Sequence, residues 1–132
     1  MREHDKAECR AFGRSPKEAL RLSLRTSVHA LTALDESGIP VAMFGVSSAS
    51  LLGGKGVPWF LGSDDVFKYG RDLVDRGPRI LAWFHESFPL LENVVSVENA
   101  KAQRLLRAWG ATIGDRERMI GGLAFVPFAI QA

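Results

Sequence analysis

The sequence is poor in the residues that make chemistry easy to recognise. Its 132 residues include one cysteine, Cys9, and one tyrosine, Tyr69. A single thiol forms no intramolecular disulfide and no paired-thiolate metal site, so Cys9 reads as a small buried hydrophobe. The three histidines, His4, His29 and His85, have no spacing that gathers metal ligands, and no carboxylate pair joins them; no metal is expected. Net charge is small as well. Seventeen basic against 15 acidic residues leave +2, too little to draw the chain as a whole to nucleic acid or an anionic membrane. The arginines from Arg71 to Arg118 are interspersed with acidic residues, so nucleic acid is not the expected partner. No apolar run approaches the ~20 residues of a membrane span, and the charged opening Met1-Arg2-Glu3-His4-Asp5-Lys6 is unlike a signal peptide. These absences point to synthesis and residence in a cytoplasm.

What is present suits one globular domain over residues 1–132, with 46% hydrophobic and 24% charged residues, enough for one core. Residues 3–12 predict a short helix stopped by Gly13. Ser15-Pro16-Lys17-Glu18 is a capping box with proline at N1, and Leu20 and Leu24 share the buried face of the helix it opens. Residues 28–34 and 39–46 alternate as strands around the turn Asp35-Glu36-Ser37-Gly38, and 57–61 make a third strand after a glycine-rich connection, 47–56. A helix from about Val66 breaks at Gly77-Pro78, resumes, and ends at Pro89. Val94-Val95-Ser96-Val97 reads as a buried strand, and Asn99 caps a helix whose apolar residues are Ala102, Leu105, Leu106 and Trp109. Two strands flank Gly121-Gly122, with Pro127 marking a bulge or sheet edge. The order α α β β β α β α β β requires the third and fourth strands to be parallel if they are neighbours. The expected fold class is α/β, with a mixed, mostly antiparallel sheet and flanking helices.

That order, with Glu92-Asn93-Val94-Val95-Ser96-Val97-Glu98-Asn99 and then Leu105-Leu106-Arg107-Ala108-Trp109-Gly110-Ala111, resembles the second half of a Gcn5-related N-acetyltransferase, the GNAT fold. Stretches from Trp59-Phe60-Leu61-Gly62-Ser63-Asp64-Asp65-Val66-Phe67 through Gly110, including Phe88-Pro89-Leu90-Leu91-Glu92-Asn93, are similar to the internal virion protein A family of short-tailed phages. So are Asp5-Lys6-Ala7-Glu8-Cys9-Arg10-Ala11-Phe12-Gly13 and Val41-Ala42-Met43-Phe44-Gly45. The sequence begins where the superfamily has already completed its first strand. The resemblance therefore implies a sheet without that strand, whose exposed edge invites another virion protein or a second copy.

The resemblance also says where chemistry belongs. Acetyl-CoA would lie where two parallel strands splay, its diphosphate on amides after the third strand. Gly62-Ser63-Asp64-Asp65 stands there, with two carboxylates that repel diphosphate. Arg76, Gly77 and Arg79 offer a second cofactor-binding place at a restarted helix, and Asn99 is the fourth cofactor-binding candidate. Leu106 occupies the position where many members carry a proton-donating tyrosine, and Tyr69 lies in another helix. Glu92, Glu98 and His85 are the available bases, with no catalytic residue assigned. Two functions follow from the resemblance. One is a non-enzymatic phage component with a structural or assembly role in the virion, needing no cofactor. The other is an acetyl-CoA-dependent N-acetyltransferase acting on an amine of a protein or small molecule.

Overall fold

Side-chain caps decide where two of the four helices begin. The computed structural model describes residues 1–49 and 54–132. Helix α1 (Glu3–Ala11) ends before Gly13, whose φ of 78° is the left-handed conformation that stops a helix. Ser15 Oγ accepts from the Glu18 amide at 3.2 Å and donates to the Glu18 carboxylate at 3.0 Å, so the capping box fixes the start of α2 (Pro16–Thr26).

A 3₁₀ turn (Val66–Tyr69) leads into α3 (Gly70–His85), which is one helix through Gly77-Pro78, so of the two possibilities that dipeptide suggests, a kink or two helices, the second is excluded. Pro78 has no amide to donate to the preceding turn, and an interior proline normally kinks or ends a helix. Here the turn is held from outside. Trp109, at the C-cap of α4 (Ala100–Ala108), donates its indole Nε1 to the Leu73 carbonyl at 2.9 Å. Gly77 makes the approach possible, because a Cβ at that position would overlap the Trp109 ring. Asn99 Oδ1 accepts from the Ala102 amide at 3.3 Å and caps α4.

The strands are β1 (Ser27–Leu34), β2 (Pro40–Ser48), β3 (Lys55–Gly62), β4 (Leu90–Ser96), β5 (Thr112–Ile113), β6 (Arg118–Ile120) and β7 (Leu123–Gln131). They form one seven-stranded sheet in the order β1-β2-β3-β4-β7-β5, with β6 also on β7. Among the described residues, only β3 and β4 pair in parallel. The sheet is thus mixed and mostly antiparallel, with flanking helices, as the element order requires.

Three strand boundaries differ from the sequence reading. Lys55 and Gly56, taken as connection, belong to β3 because they pair with Leu90 and Leu91, which also start β4 four residues early. Residues 50–53 of that connection lie outside the described residues. The strand before the Gly121-Gly122 turn is split into β5 and β6. Pro127 is therefore not at a sheet edge. It pairs with Val94 of β4, and on its other side falls opposite the break between β5 and β6, where its carbonyl accepts from the Gly114 amide at 2.8 Å. A residue without an amide sits where the partner strand has stopped.

The core lies between the sheet and the pair α3 and α4. Val46, Leu81, Phe84, Phe88, Leu91, Val95, Val126, Phe128 and Ile130 form one buried cluster, and Ala42, Phe44, Val66, Leu73 and Leu105 a second. Helices α1 and α2 lie on the other face, where Phe12 meets Phe125 edge-on at 5.4 Å between ring centroids. The expectation that Leu20 and Leu24 share a buried face is not met. No residue of α2 is buried, and Leu24 is 43% exposed, because only its flank touches the sheet. No helix among the described residues is long and apolar enough to cross a membrane.

Candidate active site at the strand splay

The parallel pair β3 and β4 is hydrogen-bonded only at its start. Lys55 and Gly56 pair with Leu90 and Leu91, and beyond them no pairing joins the two strands. Gly56 seats the closed end, since a Cβ there would stand 2.7 Å from both the Phe88 ring and Val46. An ion pair between Lys55 and Glu92 at 3.3 Å lies at the same end. Past this point the strands diverge, and a cavity of about 350 Å³ opens between them, lined from both faces of the sheet. Its walls include Pro58, Trp59 and Phe60 of β3, Asn93, Val94 and Val95 of β4, Cys9 and Phe12 on one face, and Leu105, Leu106 and Trp109 on the other.

Splaying two strands strands their main-chain groups, and one side chain answers for two of them. Asn93 Nδ2 donates to the Pro58 carbonyl at 2.7 Å, while its Oδ1 accepts from the Val94 amide at 2.8 Å. A carboxamide thus bridges the gap that a ladder hydrogen bond would otherwise close.

At the mouth, α1 brings charge to the ends of β3 and β4. The Arg2 amide donates to the Gly62 carbonyl at 2.8 Å, and the Gly62 amide donates to the Asp5 carboxylate at 2.9 Å. The buried Arg2 guanidinium lies 3.7 Å from Asp5, donates to Asn99 Oδ1 at 3.4 Å, and stands 4.5 Å from the centroid of the Phe67 ring. Asn99, 2% exposed, donates through Nδ2 to Glu8 at 3.2 Å. Asn99 thus ties α1 to α4 as well as capping α4. Burial raises the Asp5 carboxyl above its ordinary value, against the opposing hydrogen bond from Gly62 and the charge of Arg2. Burial likewise raises Glu8, against the bond from Asn99. The Cys9 thiol is pushed up by burial and by these two carboxylates, which keeps it from being a ready nucleophile.

Of the residues singled out in the sequence, Asn99 and Leu106 line the cavity. Arg76 and Arg79 are exposed in the middle of α3, so the restarted helix end on which their pairing was argued does not exist. Gly77 is buried, and the group that approaches it closely is Trp109. Glu92 is held by Lys55, Glu98 is exposed, and His85 places Nδ1 2.8 Å from the Phe88 carbonyl, with its buried Nε2 unpartnered. None of these three bases lines the cavity. Among the described residues, no group of three or more histidine, cysteine or acidic side chains could hold a metal ion.

Sequence reasoning missed Arg2, Asp5, Glu8 and Asn93. The first three sit in a charged helix that reads as solvated. Their partners Gly62 and Asn99 are 57 to 97 residues away.

No protein-family model matches the sequence, and no curated protein matches it. Solved structures do resemble it in shape. A ribosomal-protein-alanine N-acetyltransferase from Brucella melitensis superposes with a TM-score of 0.66 at 14% identity, over 88% of this chain and 76% of that one. An acetyltransferase of the GNAT family from Streptococcus pneumoniae gives 0.65 at 13%, over 89% and 77%. A spermidine N-acetyltransferase from Vibrio cholerae, in complex with CoA and spermine, gives 0.64 at 13%, over 99% and 92%. At such identities the likeness establishes the fold alone, which is that of the GNAT acetyltransferases.

Proposed function

We propose that this chain is an acyl-CoA-dependent N-acyltransferase whose reaction chamber is the cavity between β3 and β4. The observation that carries the reading is that cavity, open to both faces of the sheet with the half-buried carboxyl of Glu8 in its wall. Its size falls in the range of small-molecule sites, and its walls are mainly apolar.

The two ends of coenzyme A fit unequally. The uncharged, amide-bearing arm suits a slot whose polar groups are amides and carbonyls, with Pro58, Trp59, Asn93 and Val94 as the residues that would hold it. When bound, the coenzyme supplies an activated acyl thioester. The diphosphate does not suit residues 62–65: the Gly62 amide already donates to Asp5, and Asp64 and Asp65 follow. Arg76 and Arg79 do not line the chamber, and of the cofactor-binding candidates only Asn99, at its mouth, is in place to touch the coenzyme.

Glu8 is the proposed base. A carboxyl whose affinity for protons is raised by burial is better matched to accept one from an ammonium near neutral pH than a solvated glutamate is. Asn99 orients it through the 3.2 Å hydrogen bond. Leu106 lines the same cavity and has no proton to give, so protonation on that side falls to water.

A second reading rests on one specific observation: the chain's own groups already satisfy the places a cofactor would use. Asp5 takes the loop amide and Asn93 bridges the splay. This favours a GNAT scaffold that holds no cofactor, for which the sequence resemblance implies an assembly role in a phage virion. Thermal unfolding with acetyl-CoA separates the two, with desulfo-CoA and ATP as controls. A transferase is stabilised by roughly 2.7 kcal/mol at 100 times the dissociation constant. An amine acceptor is then acetylated. No shift at millimolar acetyl-CoA and no acetylated product would leave the scaffold reading.

A further inference from the structure

The end of the sheet formed by β1 carries information that the splay does not use. Among the described residues, no strand pairs with the outer edge of β1, and its sequence Ser27-Val28-His29-Ala30-Leu31-Thr32-Ala33-Leu34 has no lysine, arginine, acid or proline. Those are the residues with which natural proteins blunt an edge. Its pairing with β2 is regular from His29 to Ala33, with register irregularities on either side. The row Val28, Ala30, Thr32 and Leu34 is exposed on one face, with Val28 at 53% and Leu34 at 59%. The opposite end of the sheet is closed differently, by two short strands sharing β7.

We propose that β1 pairs antiparallel with β1 of a second copy of this chain, making one continuous sheet through a two-fold axis near Leu31. Charge selects this occupant and this direction. Before β1 stands Arg25, exposed in the last turn of α2, and after it come Asp35 and the exposed Glu36. Asp35 accepts from the Ser37 and Ile39 amides at 2.8 and 2.9 Å, while Glu36 accepts from the Tyr69 hydroxyl at 3.4 Å and lies at the surface. An antiparallel pair sets the basic end of one strand against the acidic end of the other, twice per dimer. A parallel pair would set like against like. Centring on Leu31 also places Val28 beside Leu34 of the second copy and Ala30 beside its Thr32, so the apolar rows meet on one face.

Sedimentation of the full chain from roughly 1 to 100 µM tests this, a range that brackets micromolar affinities. The expected result is a reversible dimer, with the alternate amides of residues 29–33 that point away from β2 slowing their hydrogen exchange as concentration rises. Ala30→Lys, whose side chain is exposed, leaves the circular dichroism unchanged and gives a monomer. Arg25→Glu weakens the dimer about tenfold, as expected for two exposed charge pairs, and adding Glu36→Arg restores it. A chain that stays monomeric at ~100 µM overturns the proposal. So does a dimer indifferent to Ala30→Lys, or one whose Arg25→Glu loss is not repaired by the reciprocal change.

Discussion

The two faces of the sheet are built by different rules. On one, α3 and α4 press aromatic and aliphatic side chains into the strands: Phe84 is 2% exposed, and Leu81 and Leu105 are 8%. On the other, α1 buries Asp5 and Cys9, and α2 buries nothing. The first face contributes cohesion through apolar area removed from water. The second contributes chemistry, because it places the buried Asp5 and half-buried Glu8 carboxylates in directional bonds to Gly62 and Asn99. The site lies where the two faces meet, since Leu81, Val95, Leu105, Phe128 and Ile130 of the core also line the cavity.

The sharpest way to break that comparison is to remove the side chain that locks α3 to α4. Trp109→Ala loses the packing on Gly77 and the hydrogen bond to Leu73 beside Pro78, so urea denaturation is expected to show a loss of about 3–5 kcal/mol. Gly77→Ala forces a methyl into the same contact and costs about 1–3 kcal/mol. Near-zero costs would mean that α3 is held by something other than Trp109.

Next in size is a change on the chemical face. Glu8→Gln keeps a polar side chain of the same shape beside Asn99 but cannot accept the amine's proton. Under the transferase reading, kcat/KM is expected to fall by about 10²–10⁴ while the melting temperature moves little. A drop in stability without a drop in activity would turn Glu8 from a base into a strut.

The fold was more legible than the site, for reasons seen in particular residues. Ser15 and Asn99 announce their helices because a cap is a local contract between a side chain and an amide three residues on. The parallel β3–β4 pair followed from the crossover helix alone. Pro78 misled because the turn that contains it is fastened from outside, by the Trp109 indole on the Leu73 carbonyl, and Pro127 because its missing amide falls opposite the break between β5 and β6. Leu24 misled because periodicity reveals an apolar face and not what covers it. Asp5 and Glu8 were invisible for a related reason. A carboxylate in a charged helix looks solvated until the strand ends that bury it are known.

Asp5 tests the electrostatic side of the comparison. Its carboxyl is raised above the ordinary 3.8 by burial, so the folded chain binds that proton more tightly than the unfolded chain does. Its contribution to stability is therefore full below the unfolded value and is lost as pH rises through the folded one. Glu8, raised above 4.5, acts in the same direction. Asp5→Asn retains an oxygen for the Gly62 amide and removes the titration. Urea midpoints of parent and variant should therefore diverge as pH rises above the ordinary 3.8, with the variant less sensitive to pH. Parallel profiles would mean that Arg2, 3.7 Å away, already neutralises the cost of the charge.

The smallest expected effect lies on α2. Leu24 is 43% exposed and belongs to a helix with no buried residue, so Leu24→Ala removes little area that folding had taken from water. Alanine is also the better helix former, which offsets part of the remaining loss. The net change should stay within about 0.5 kcal/mol by urea denaturation at micromolar concentration. Beside the several kcal/mol at Trp109, such a value would fix the contrast between the faces. A cost above ~2 kcal/mol, the scale of a buried leucine, would mean that this flank is covered in solution and that the thin face of the sheet is completed by another surface.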